Sequence, residues 1–239
     1  MTLPYFYISE YNPARNELVL DEVNSKHIVQ VLRMKEGATL NVTDGKGDLF
    51  TCSILVSDKK KCTVRIEKTQ KIPAPISQVC IAISLLKNSA RFEWFLEKAT
   101  ELGVFEILPL VCERTVREKF RFDRMQSICI SAMLQSQQAW LPLLHHPTDF
   151  KKTVEQSIAG NKFIAHCEES GNKVHLFSLQ NNQDQAPATS TILIGPEGDF
   201  TGEEISFALK NQFTAVSLGN TRLRSETAAI AAAVMLGNR

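Results

Sequence analysis

Apolar and polar residues alternate along residues 39–69, "TLNVTDGKGDLFTCSILVSDKKKCTVRIEKT". Leu40 and Val42 fall on one face, then Phe50, Cys52, Ile54 and Val56, then Cys62, Val64 and Ile66. Asp44–Gly47 and Ser57–Lys61 supply the turn chemistry between these runs. A period of two broken by turn residues predicts antiparallel strands, here closing a small β-barrel. Upstream, "SKHIVQVLRMKEG" places Ile28, Val31 and Leu32 on one face of a short helix that Gly37 would end.

Pro73 and Pro75 in "KIPAPIS" favour an extended linker. The predicted domains are therefore residues 1–72 and 73–239. Beyond the linker the pattern changes. "QVCIAISLL" is a buried strand run, and residues 89–103 repeat Phe92, Phe95, Leu96, Ala99 and Leu102 at helical spacing, with Gly103 as the stop. "VFEILPLV", "KFIAHC", "TILIGP" and "TAVSLG" read as strands. "FDRMQSICISAMLQSQQ", "TGEEISFALKNQ" and "ETAAIAAAVML" read as helices, the second opened by a Thr201–Glu204 capping box and the third by Ser225 as N-cap. Strand and helix alternate throughout, which predicts an α/β domain with a largely parallel sheet. "QNNQDQAPATS" (residues 180–190) has no core pattern and reads as a loop.

Composition narrows the classes. The 239 residues carry a net charge of +1, so any nucleic-acid contact must come from local patches. Residues 114–124 are such a patch, with five Arg/Lys against two Asp/Glu; a solvated surface is the plain alternative. The six cysteines are scattered singly without a CxxC pair, and the histidines complete no metal spacing, so reduced thiols and no metal are expected. The N-terminal residues lack a signal-peptide pattern and no apolar run is long enough for a bilayer, so a cytoplasmic protein with no membrane partner is expected.

Candidate chemistry lies at strand ends, where open α/β sheets bind ligands. Three stretches carry it: "HCEES" (166–170), "IGPEGDF" (194–200) and "LGNTRLRSET" (218–227). The second is neither GxGxxG nor a phosphate loop, and a tight turn before a helix would also explain it. In the third, Ser225 and Glu226 suit a helix start, but Arg222 and Arg224 add positive charge beside a positive helix end. That placement points to an anionic partner.

"HIVQVLRMKEG", "FEWFLEKATELGVFEILPLVCERTV", "IGPEGDFTGEE" and "LGNTRLRSETAA", in this order, resemble the RsmE-type family within the SPOUT class of RNA methyltransferases. The resemblance runs the length of the chain. It implies a PUA-like barrel followed by an α/β domain with a C-terminal trefoil knot, a homodimer, and S-adenosylmethionine as cofactor. The implied reaction is methylation of a uridine N3 in 16S ribosomal RNA of the small subunit. The cofactor residues it implies are His166, Glu168, Ile194, Gly195, Glu197, Gly198, Leu218, Gly219 and Leu223. Arg224 would stabilise negative charge on the uracil oxygens, with Glu226 orienting Arg224 or the base. Arg33, Arg114, Arg117 and Arg222 would hold RNA.

Three positions depart from the family pattern. Asp199 stands where a second glycine is usual after GPEG. Leu134 and Gln138 replace the Glu and Arg of a Glu-Gln-Ser-x-Arg-like segment, here Leu134-Gln135-Ser136-Gln137-Gln138. Two other functions fit the same motifs: a ribosome-associated RNA-binding protein without turnover, and a SPOUT methyltransferase acting on another RNA.

Overall fold

The computed structural model describes residues 3–116, 119–157, 160–168, 173–182 and 189–237. It divides into two compact units. One comprises Met1–Ala74 with Met133–Leu141, the other Pro75–Ala132 with Pro142–Arg239. The segment 133–141, which sequence pattern assigns to the second half, thus packs with the first.

The first unit holds β1 (Tyr5–Tyr7), β2 (Glu17–Val19), α1 (Glu22–Lys26), β3 (Thr39–Thr43), β4 (Asp48–Val56) and β5 (Thr63–Lys71). The five strands form a PUA-like half-barrel sheet in the order β1-β3-β4-β5-β2. β3, β4 and β5 pair antiparallel as their alternation predicts, while β1 lies parallel to β3. Leu40, Val42, Phe50, Cys52, Ile54 and Val64 are buried in one cluster. Val56 is not with them. A register shift between Ile54 and Val56 turns it outward, and it is 49% exposed. The helix before β3 also ends earlier than Gly37. After α1 the chain widens into a π turn over His27–Val31, closed by Leu32 N–H donating to the His27 carbonyl. It stops at Arg33, whose φ of 53° is left-handed. Trp140 Nε1 donates to the carbonyls of Ile72 and Pro73, which ties segment 133–141 to the end of β5.

The second unit contains β6 (Gln78–Ser84), α2 (Ser89–Glu101), β7 (Glu106–Val111), most of α3 (Phe122–Gln135), β8 (Leu143–Leu144), β9 (Thr148–Asp149) and α4 (Phe150–Gln156). It continues with β10 (Asn161–Ala165), β11 (Val174–His175), β12 (Thr189–Ile194), α5 (Gly202–Lys210), β13 (Thr214–Ser217) and α6 (Ser225–Gly237). Its sheet runs β11-β13-β10-β12-β6-β7-β8, with β9 also on β7, and its pairs are parallel. β6 is buried from Val79 to Ser84 without alternation, as expected of a parallel strand covered on both faces. Residues 183–188 of the predicted loop lie outside the described residues.

α2 buries Phe92, Phe95, Leu96 and Ala99, and Asn88 caps it by accepting from Ala90 N–H. Leu102, expected on the same face, is the C-cap residue and 45% exposed. α5 opens on the predicted capping box: Glu204 N–H donates to Thr201 Oγ1 and Thr201 N–H to Glu204 Oε2. α6 begins at Ser225 itself, so Arg224 takes the N-cap position and its carbonyl accepts from Ala228 N–H at 2.7 Å. Among the described residues no helix is long and apolar enough to cross a membrane.

Phe95 is fully buried. Phe95→Ala should lower unfolding stability by about 3–5 kcal/mol, read from urea denaturation of the second unit.

Candidate functional site

β13, β10 and β12 are consecutive neighbours in the sheet and run the same way. Ala165 stands opposite both Ile194 and Val216. The three strands therefore end at one level, and the three loops singled out from sequence leave the sheet side by side. They line one cleft made of two adjoining hollows of about 420 and 320 Å³. Ala165, Cys167, Arg222, Leu223 and Ala228 border both.

Of the predicted cofactor residues, His166, Leu218, Gly219 and Leu223 line the first hollow. Ile194, Gly195, Glu197 and Leu223 line the second. Glu168 and Gly198 do not line the cleft. Glu168 reaches back towards Gly202, and the Gly198 carbonyl accepts from Arg114 Nη1 at 2.8 Å. Arg224 lines the second hollow and Arg222 both. Glu226 is buried at 7% exposure, and the ion partner it meets is Arg91, 3.6 Å from its Oε1. Arg33 belongs to the first unit. Arg117 lies outside the described residues.

The loop after β12 is tethered from three neighbouring strand ends. Glu197 Oε1 accepts from Lys87 N–H beyond β6, at 3.1 Å. Arg114, beyond β7, donates to the carbonyls of Gly198 and Phe200. Asp199 Oδ2 accepts from Cys167 N–H beyond β10, at 2.7 Å. Glu204, at 5% exposure, also accepts from Glu113 N–H at 2.9 Å, so the capping carboxylate of α5 fastens the loop that carries Arg114. Sequence reasoning misses Arg91, Lys173 and this use of Asp199. Asp199 is visible as an anomaly in a glycine-rich loop, but its partner is 32 residues away.

The lining combines bare backbone with charged side chains, Lys173, Arg222 and Arg224 against Glu197 and Asp199. Gly219 has a φ of 143°, and a Cβ there would enter open space, so the backbone is bare towards the cleft. At Gly195 a Cβ would press on the buried Phe200 ring at 3.1 Å, so glycine lets the chain pass close over that ring. His166 is 9% exposed, and among the described residues its buried Nδ1 has no hydrogen-bond partner. Among the described residues that Nδ1 is one of two buried side-chain polar atoms without a partner. Burial, followed by the Lys173 ammonium, lowers the His166 pKa from the ordinary 6.5, with Asp199 and Glu168 opposing. The ring is thus neutral at pH 7 and offers one donor and one acceptor.

Residues 73–237 match a family model described as an RNA methyltransferase domain, and residues 20–67 one described as an RNA methyltransferase PUA domain. The chain belongs to the RNA methyltransferase family. It is 31% identical over 206 residues to ribosomal RNA small subunit methyltransferase E of Synechocystis, covering 84% of this chain and 66% of that protein. The protein of that name from Mesomycoplasma hyopneumoniae is 30% identical over 231 residues, covering 94% and 95%. The crystal structure of ribosomal RNA small subunit methyltransferase E from Neisseria gonorrhoeae, bound to S-adenosyl methionine, superposes with a TM-score of 0.84. It is 26% identical and the match covers 98% of this chain and 96% of that one. The anomalies of the third loop, two arginines at the mouth of a helix, therefore sit in a methyltransferase fold.

A depressed histidine pKa has a stability consequence. The unfolded chain takes up the His166 proton at a higher pH than the folded one. The contribution is complete above pH 6.5 and is lost as pH falls through that value. Between about pH 7 and 5.5, the melting temperature of the wild type should fall more steeply than that of His166→Gln, as read by scanning calorimetry.

Proposed function

We propose that this chain transfers a methyl group from S-adenosylmethionine to N3 of a uridine in 16S ribosomal RNA of the small subunit. The observation that carries the reading is the single cleft at the ends of β13, β10 and β12, with Arg222 and Arg224 at its border. The names of the full-length relatives and the S-adenosyl methionine bound to the Neisseria structure support it. The "LGNTRLRSETAA" stretch supports the uridine N3.

The cofactor supplies an already activated sulfonium methyl, so the chain needs no metal and no covalent nucleophile. Backbone at Ile194–Gly195 and Leu218–Gly219, with the His166 side chain, would hold the cofactor. Uridine N3 holds its proton at neutral pH and must lose it before it accepts a methyl group. The negative charge then spreads to O2 and O4, where the Arg224 guanidinium stabilises it and lowers the effective pKa. Arg224 suits this role because its backbone is fixed as the N-cap of α6, through the bond to Ala228 N–H. Glu226, in the first turn, opposes the helix dipole and holds Arg91 beside the same helix end. Arg33, Arg117 and Arg222 contribute RNA contacts. Arg114 does so from a guanidinium already anchored on the loop after β12.

The trefoil knot, the cytoplasmic location and the homodimer belong to the same proposal. α6 is apolar on nearly every side, yet Val234 stays 41% exposed, which supports a second copy covering it.

The test is transfer of labelled methyl to small ribosomal subunits that lack the modification, with the labelled base mapped. Label on uridine N3 is the expected result; no label with cofactor bound would favour an RNA-binding protein without turnover or another RNA target. Arg224→Ala should cut transfer by about 100-fold or more while cofactor affinity changes less than about twofold. Parallel loss of binding and turnover would remove Arg224 from the charge-stabilising role.

A further inference from the structure

Asp199 has a φ of 63°, a left-handed conformation that residues other than glycine adopt at a cost. Its side chain uses that conformation. Oδ1 accepts from Phe200 N–H at 2.8 Å, and Oδ2 accepts from Cys167 N–H at 2.7 Å. The first bond is local. The second spans two loops that leave different strands, β10 and β12. Both are charge-assisted, and their lengths are those usual for that class.

Cys167 and Asp199 line the same hollow. Cys167 follows His166, whose ring lies in the adjoining hollow with its unpartnered Nδ1. β10 ends at Ala165, so the ladder of the sheet holds neither His166 nor Cys167. Among the described residues, Lys173 Nζ donates to the His166 carbonyl at 2.8 Å and Asp199 holds the next amide. The far side of Asp199 is equally fixed. Asp199 N–H donates to the Pro196 carbonyl, and the Phe200 ring is buried against Phe150. The Asp199 carboxylate thus joins the turn after β12 to the first residues of the loop after β10.

We propose that Asp199 is a positioning residue for cofactor binding, acting by clipping the loop after β10 to the loop after β12. It holds His166 and Cys167 in place on one wall of the cleft, and it acts through the Cys167 amide. The proposal rests on the reading of this cleft as the S-adenosylmethionine site.

The clip and a direct electrostatic role for the carboxylate are separable with two ligands. S-adenosylmethionine carries a sulfonium charge and S-adenosylhomocysteine does not. Calorimetric titration of the full chain with each ligand would be run on wild type, Asp199→Gly and Asp199→Asn. Glycine relieves the left-handed backbone, and its melting temperature checks that the fold is intact. Asn tolerates that backbone and keeps an acceptor oxygen, but lacks the charge and the second acceptor. Asp199→Gly is expected to weaken both ligands equally, by about tenfold. Asp199→Asn should fall between the two. In the ligand-free proteins, hydrogen exchange at the Cys167 amide should be about tenfold faster or more in Asp199→Gly, with Phe163 and Ile164 unchanged. Wild-type affinity in Asp199→Gly, loss confined to S-adenosylmethionine, or an unchanged Cys167 exchange rate would each overturn the clip. Failure of the wild type to bind either ligand would instead overturn the cofactor reading of the cleft, and the role of Asp199 with it.

Discussion

The candidate site depends on the parallel register of three adjacent strands. Because Ala165 faces Ile194 on one side and Val216 on the other, β12, β10 and β13 stop together. Their loops are then forced into one row along a sheet edge. A slip of one residue would turn each strand's buried side chains towards the opposite face. β6 and β12 are buried on both faces, so no alternation marks their register in the sequence.

Polar groups then convert a row of loops into a shaped cleft. The backbone after β12 would be a free turn if it depended only on its glycines. It is tied down by Glu197 to the Lys87 amide, by Arg114 to the Gly198 carbonyl and by Asp199 to the Cys167 amide. Each bond satisfies a main-chain group that no ladder reaches, which is why side chains from distant parts of the chain are recruited. The electrostatics are divided in the same way. The floor near His166 is neutral because burial disfavours the imidazolium, while Arg222 and Arg224 place positive charge at the border. On the proposed function, the arginines at the border face the anionic RNA.

The structure also changes how individual charged residues read. Arg114 belongs to a basic stretch, and on composition alone its guanidinium is free for phosphate. Folding places it on two carbonyls of the loop after β12. Glu226 stands two residues from Arg224 in sequence, yet the start of α6 turns it inward, where it meets Arg91 from α2. Gly37 follows an apolar helical pattern and looks like its stop. The π turn at His27–Val31 uses up the helix sooner, and Arg33 takes the left-handed position.

What the sequence determined by itself was local or periodic. The alternation in residues 39–69, the long buried strand runs, the capping box of α5 and the motifs at three strand ends all depend on neighbours within a few residues. Such spacing carries their physics directly. The family motifs were legible for the same reason, since they are contiguous stretches. What only the tertiary structure decided were the long-range pairings: segment 133–141 with the first unit, β1 parallel to β3, Arg91 with Glu226, and Asp199 with Cys167. None leaves a periodic signature, because a hydrogen bond or an ion pair across the fold constrains two positions whose separation along the chain is arbitrary. The bulge that exposes Val56 is of the same kind, since the register shift shows only when β4 is laid against β5.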